Sequence, residues 1–150
     1  MSAPAPPSPE AYAEQLAREI PPDCAIAAMG ITPVAAENGV AFARMVLGAH
    51  HLNQVGAVQG GVYALFADAT AGFAAMSTLP DEKTFATLEM RVNLLRGVRP
   101  GTELVAEANP VHRGGTTMVF EVRVWDQAGT RDRPAAFFVC TQLVMDKAPI

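Results

Sequence analysis

Between Arg44 and Asp81 the chain runs for 36 residues with one charge, Asp68, set among Ala, Gly, Val and Phe. A stretch this long and this apolar has to supply the centre of a single domain of 150 residues,. Val62, Leu65, Phe66, Ala69, Phe73 and Met76 recur at three and four, which predicts a helix with one bulky stripe,. Gly61, Ala64, Asp68, Ala71, Gly72 and Ala75 fall on another side, within about a third of a turn at 3.6 residues per turn,. The bulky stripe is expected to face a core, and the small one to be left for a second subunit or a substrate. Burying an ionised carboxylate unpaired costs several kcal/mol or raises its pKa. Two readings of Asp68 follow: a residue satisfied by hydrogen bonds at a subunit contact, or a working carboxylate.

The segments around this helix read as strands. Residues 1–22 form a Pro/Ala-rich arm and a short amphipathic helix, Pro9 to Ile20, stopped by Pro21-Pro22; residues 23–150 form the main domain,. Glu37-Asn38-Gly39 predicts a hairpin turn between strands over Ala27–Ala36 and Val40–Ala49,. After the break at Pro80-Asp81, Ala86, Leu88, Met90, Val92 and Leu94 alternate with Thr87, Glu89, Arg91 and Asn93, a half-buried strand with Thr87 on its polar face,. Turns at Arg99-Pro100-Gly101, Arg113-Gly114-Gly115 and Gln127-Ala128-Gly129 separate strands near Glu103–His112, Thr116–Asp126 and Ala135–Met145,. Two strands, one long helix and four closely connected strands predict an α+β domain with an antiparallel sheet.

Composition excludes several functions. Eleven scattered Lys and Arg against fifteen Asp and Glu give no basic stripe for nucleic acid,. The start, MSAPAPPSPE, has neither the basic nor the apolar region of a secretory signal, so a cytoplasmic protein is expected,. A membrane span over Val58 to Met76 would put Asp68 at mid-bilayer at a cost of about 2.5–3.5 kcal/mol, and no charged anchors flank it,. Ser2, Ser8 and Ser77 are the only serines and none sits in a nucleophile elbow,. His50, His51 and His112 have no zinc-binding spacing, so no metal is expected, and His50 and His51 read as structural,. Cys24 and Cys140 lie far apart in apolar settings and read as structural too,. Gly56 to Gly61 opens the helix without the lysine of a P-loop or the spacing of a dinucleotide fingerprint,. It offers unpaired backbone N–H groups at a helix start, with no side chain at Gly60 or Gly61 to block an acyl oxygen,.

The run His51-Leu52-Asn53-Gln54-Val55-Gly56-Ala57-Val58-Gln59-Gly60-Gly61, followed by Asp68 and by Thr87 to Asn93, resembles the hotdog-fold thioesterases of the phenylacetate-degradation (PaaI-like) type over about residues 40 to 145. Asn53, Gly56, Gly60, Gly61 and Asp68 keep the family spacing, whereas Gln59 stands where the family usually has a histidine. The resemblance implies six antiparallel strands wrapped around the long helix, in a homodimer or dimer of dimers with active sites at the subunit boundary. It further implies an acyl-CoA substrate and no separate cofactor. By it, Asp68 is the catalytic carboxylate, as general base or nucleophile, and Gly60, with Gly61 beside it, polarises the thioester carbonyl. Asn53 orients water or thioester from the neighbouring subunit, Thr87 assists the water, and Gln59 hydrogen-bonds in place of the imidazole. Arg96 and Arg113, near turns, are candidates for the CoA phosphates,. The alternatives are a binding protein of the same fold that holds an acyl-CoA or acyl carrier, and a hydratase, which would lack an imidazole at Gln59. Phe66, Phe73, Phe85 and Met90 read as core before they read as an acyl pocket,.

Overall fold

The structure, a computed structural model, describes residues 7–126 and 129–148. Most of the Pro/Ala arm, residues 1–6, and the Gln127-Ala128 part of the expected turn lie outside these residues. Helix α1 spans Pro9–Glu19: Ser8 caps it, its Oγ accepting from the Ala11 amide at 3.2 Å, and Pro9 stands where a missing N–H does no harm,. Ala13 and Leu16 carry its inner face into the core, and the Tyr12 hydroxyl donates to the Met76 carbonyl at 2.9 Å.

Strands β1 (Thr32–Glu37) and β2 (Val40–Val46) form the expected hairpin. Asn38 and Gly39 take φ of 51° and 84°, the left-handed pair that such a turn requires,. The sequence placed this first strand too early and ran the second too far. Ala25–Ala28 make a helical turn, α2, closed by Gly30 at φ 65°, and Ala49–His51 make a 3₁₀ turn. Short apolar runs do not distinguish a helical turn from a strand.

The other strands are β3 (Lys83–Leu94), β4 (Glu103–Arg113), β5 (Thr117–Asp126) and β6 (Ala136–Asp146). All pairs are antiparallel in the order β1-β2-β4-β5-β6-β3, so β3 is an edge. Phe120, Val122 and Val124 of β5, with Phe138 and Cys140 of β6, are fully buried beneath helix α3, Gly60–Met76, whose Phe66 is buried with them. This is the six-stranded sheet around one central helix that defines the hotdog fold.

The helix faces divide differently from the expected bulky and small stripes. Ala71, Gly72 and Ala75 of the small stripe are buried, whereas Leu65 is partly exposed and Met76 is exposed. The sheet curls far enough around α3 for the chain itself to use the small residues. A methyl at Gly72 would lie 3.0 Å from Phe85 Cζ. The part of the stripe left accessible is its N-terminal end, Gly61, Ala64 and Asp68.

Candidate active site

The loop before α3 is built on its own hydrogen bonds. His51 is buried, with Nδ1 accepting from the Gly48 amide at 2.8 Å and Nε2 3.0 Å from the Met29 carbonyl. It is a structural histidine, joined to the end of α2; His50 is exposed, its ring 3.9 Å from that of His51. Asn53 Oδ1 accepts from the amides of Val55 at 3.1 Å and Ala57 at 3.0 Å, and its own N–H donates to the Ala57 carbonyl at 2.7 Å. Gly56 at φ 79° closes this tight turn,. Gln59 N–H then donates to the His51 carbonyl at 2.9 Å, which fixes where the helix begins.

Gln59 is the N-cap of α3, exposed and without a side-chain capping bond. Its carbonyl takes the Val62 amide at 2.9 Å, and the helix supplies no acceptor for the amides of Gly60 and Gly61,. A Cβ on Gly61 would meet nothing within 4 Å; one on Gly60 would meet only the end of Leu94, at 2.9 Å. The helix start is therefore open to a ligand oxygen, with Leu94 as its movable flank.

Two turns on, Asp68 Oδ1 accepts from Thr87 Oγ1 at 2.9 Å. Burial pushes the Asp68 carboxyl above its usual range, and the Thr87 hydroxyl partly offsets this,. Simple alternation put Thr87 on the polar face of its strand, and here the sequence misled. The register of β3 against β6 shifts between Thr87 and Glu89, so Thr87 shares the helix-facing side with Met90, Val92 and Leu94,. Gln142 of β6 lies directly opposite Thr87, fully buried, with neither Nε2 nor Oε1 partnered among the described residues. An unpaired buried polar group costs about 1–3 kcal/mol. The sequence reading passed over Gln142, although it is the polar residue in the inward row Ala136, Phe138, Cys140, Gln142 and Val144.

Asp68 and Gly60 are eight residues apart on one helix, about 12 Å along its axis, so no single carbonyl reaches both within one chain,. Near the helix start, Ala57, Val58, Tyr63, Leu94, Leu95 and Val98 help to line a groove of about 330 Å³. Tyr63, also missed from sequence, has a buried hydroxyl without a partner among the described residues. Phe66 and Phe73 are core, Phe85 packs on Gly72, and Met90 is exposed.

The arginines separate. Arg96 grips the Asp126 carboxylate with both terminal nitrogens, at 2.5 and 3.2 Å, so its fork is filled,. That contact holds the Asp126 carboxyl below its usual range. Arg113 is exposed, with Nη1 donating to the Asn38 carbonyl at 2.8 Å, and lies towards the C-terminal end of α3, beside the Gly39 turn whose amide donates to Ser77 Oγ. Cys140 is buried and its thiol is pushed up to about 12, chiefly by burial and next by the charge of Asp68, so it is no nucleophile,. Among the described residues no cluster of His, Cys, Asp and Glu could hold a metal, and no helix is long and apolar enough to cross a membrane.

A family model for the thioesterase superfamily matches residues 55–132, just over half of the chain. The chain is 35% identical over 94 residues, 61% of its own length and 71% of the relative's, to a Bacillus subtilis (strain 168) protein named "Putative esterase ComA2". Among solved structures, conserved protein PA5202 from Pseudomonas aeruginosa matches with a TM-score of 0.73 at 29% identity, over 80% of this chain and 92% of that one. The E. coli PaaI protein from the phenylacetic acid degradation operon matches with a TM-score of 0.79 at 23% identity, over 94% and 99%, a likeness of fold. With its six-stranded sheet around one helix and a family match over all of that helix and the three strands β3, β4 and β5, the chain belongs to the thioesterase superfamily and is a thioester hydrolase of the hotdog fold.

Proposed function

We propose that the protein hydrolyses acyl-CoA thioesters to the free acid and CoA, with Asp68 as the carboxylate that acts in the chemical step. The observation that carries this reading is the setting of Asp68. It is half-buried on a flank of α3 lined by small residues, raised in pKa by that burial, and held by the Thr87 hydroxyl. A carboxylate so placed is suited either to take a proton from water or to attack the carbonyl itself. The amides of Gly60 and Gly61 stabilise the developing oxyanion, a contribution for which one donor is typically worth about 2.7–4 kcal/mol of barrier. Thr87 holds the carboxylate and its water, Gln59 presents its side-chain amide at the mouth, and Asn53, its Oδ1 taken by the loop, offers its Nδ2 donors. Arg113 retains donors for a CoA phosphate, whereas Arg96 would have to share its fork with Asp126.

The distance between Asp68 and Gly60 supports a site completed by a second copy of the chain, with Asp68 of one protomer facing the helix start of its partner. The edge strand β3 suits that pairing. It is 12 residues long, open on one side, and exposes Leu88, Met90 and Leu94,. Such a homodimer, alone or doubled into a tetramer, and a cytoplasmic setting with its acyl-CoA supply, belong to the same proposal. The test is thiol release from phenylacetyl-, benzoyl-, acetyl- and hexanoyl-CoA. Turnover of any of them supports the reading and narrows the acyl class; CoA-ester binding without release of thiol would favour a binding protein of the same fold.

A further inference from the structure

Among the described residues, Gln142 is the one whose side chain leaves two buried polar atoms without a partner. It is 0% exposed, on the inner row of β6 with Phe138 and Cys140, and neither end of its amide has a partner among the described residues. A residue that only filled this space would do better without polar atoms, since a buried amide left unpaired weakens the fold. Its cross-strand neighbours are Met118 on β5, which offers no strong partner, and Thr87 on β3. Directly opposed residues carry their Cβ atoms about 4.5–5.5 Å apart, a gap that a glutamine side chain spans. Thr87 gives its single hydroxyl proton to Asp68, so its oxygen has lone pairs to offer, and an amide N–H is the matching donor,.

We propose that Gln142 is a positioning residue for the Asp68 carboxylate, its amide N–H donating to Thr87 Oγ1 through one bound water. This fixes the hydroxyl so that its proton points at Asp68. The role rests on the reading of Asp68 as the working carboxylate. The bulge after Thr87 turns the hydroxyl inward to where both groups can reach it,. Among the described residues, Cys140 on β6 faces this cluster as a neutral thiol and α3 contributes Asp68, whereas Glu89 on β3 pairs with Thr141 on the other face of the sheet, receiving its hydroxyl at 3.5 Å.

The test compares Gln142→Met, Gln142→Asn, Asp68→Asn and the native full-length chain on the acyl-CoA it turns over, by kcat, KM, the pH profile of kcat and thermal melting. Gln142→Met keeps the length and removes both polar atoms. The expected result is a melting temperature equal to or above the native one, kcat lowered by about tenfold or more with KM little changed, and an acid limb displaced to higher pH. Gln142→Asn, which keeps the amide, is expected to hold the limb near its native position. Native kcat and an unmoved limb in Gln142→Met would overturn the proposal. So would failure of Gln142→Met to fold, because the amide would then be structural. If Asp68→Asn itself kept turnover, the catalytic reading would fall; if Asp68→Asn were inactive while Gln142→Met behaved as native, only the role of Gln142 would fall.

Discussion

Thr87 Oγ1 donates to Asp68 Oδ1 at 2.9 Å, and a one-residue bulge in an edge strand is what brings the two together. Without the extra residue at Leu88, the pattern of β3 from Met90 to Leu94 would carry Thr87 to the far side of the sheet,. Burial and this bond act on the carboxyl in opposite directions, burial being the stronger.

Thr87→Val keeps the branched shape and removes the hydroxyl. The bond that lowers the Asp68 pKa is lost, so the carboxyl rises further and ionises only at higher pH,. The acid limb of the kcat profile is expected to move upward, with about tenfold loss of turnover for each pH unit on the acid side. A limb that stays in place would show that the hydroxyl does not support the carboxylate.

Asp68 also sets a stability that depends on pH. Its folded-state pKa lies above the unfolded value, so its contribution is fully present below that unfolded value and is lost as pH rises through the folded one,. Ionised Asp68 therefore weakens the fold at neutral pH. Asp68→Asn is expected to melt above the native protein at pH 7, with the difference shrinking as the native carboxyl protonates. Melting curves at neutral and acid pH read this directly, and a lower melting temperature for the variant at pH 7 would contradict it.

The Arg96–Asp126 pair has the opposite sign. The depressed Asp126 pKa gives stability that is present above its unfolded value and lost as pH falls through the folded one,. The Asp126 side chain is 9% exposed against 34% for Arg96, so Arg96→Ala strands a nearly buried charge. A loss at or somewhat below about 3 kcal/mol is expected in urea unfolding at pH 7, falling at acid pH as Asp126 protonates. An undiminished stability would mean that the pair contributes nothing.

Gly61→Ala separates helix stability from substrate access. The added methyl meets nothing within 4 Å in the chain, and alanine for glycine within a helix gains up to about 1 kcal/mol,. The variant is expected to melt higher and yet to lose kcat/KM, because the methyl stands where the thioester approaches. Native kcat/KM would show that the substrate does not pass over Gly61.

The hairpin, the central helix and the four later strands were legible in the sequence because each rests on a local pattern: Asn38-Gly39, the recurrence from Val62 to Met76, and alternation closed by turns. Asp68 stood out for the same reason, as one charge in an apolar run. The bulge at Leu88 left no local mark, and with it went the face of Thr87. Only the pairing of β3 with β6 reveals it. The division of the small stripe was hidden likewise, since it depends on Phe85 closing over Gly72 from another element. Arg96 looked like a free cation because Asp126 is 30 residues away in sequence. Gln142 was visible as one polar residue in an apolar row, and its weight came only with its burial.

The most direct test of the account is the turnover number of Asp68→Asn against the native chain on the same acyl-CoA, with thermal melting as the check on folding. The two side chains are nearly the same size, so the fold should persist while kcat falls by about 10²–10⁴-fold, the range supplied by a positioned acid or base. A folded variant with undiminished turnover would contradict the account, because the reaction would then proceed without the one carboxylate that α3 carries.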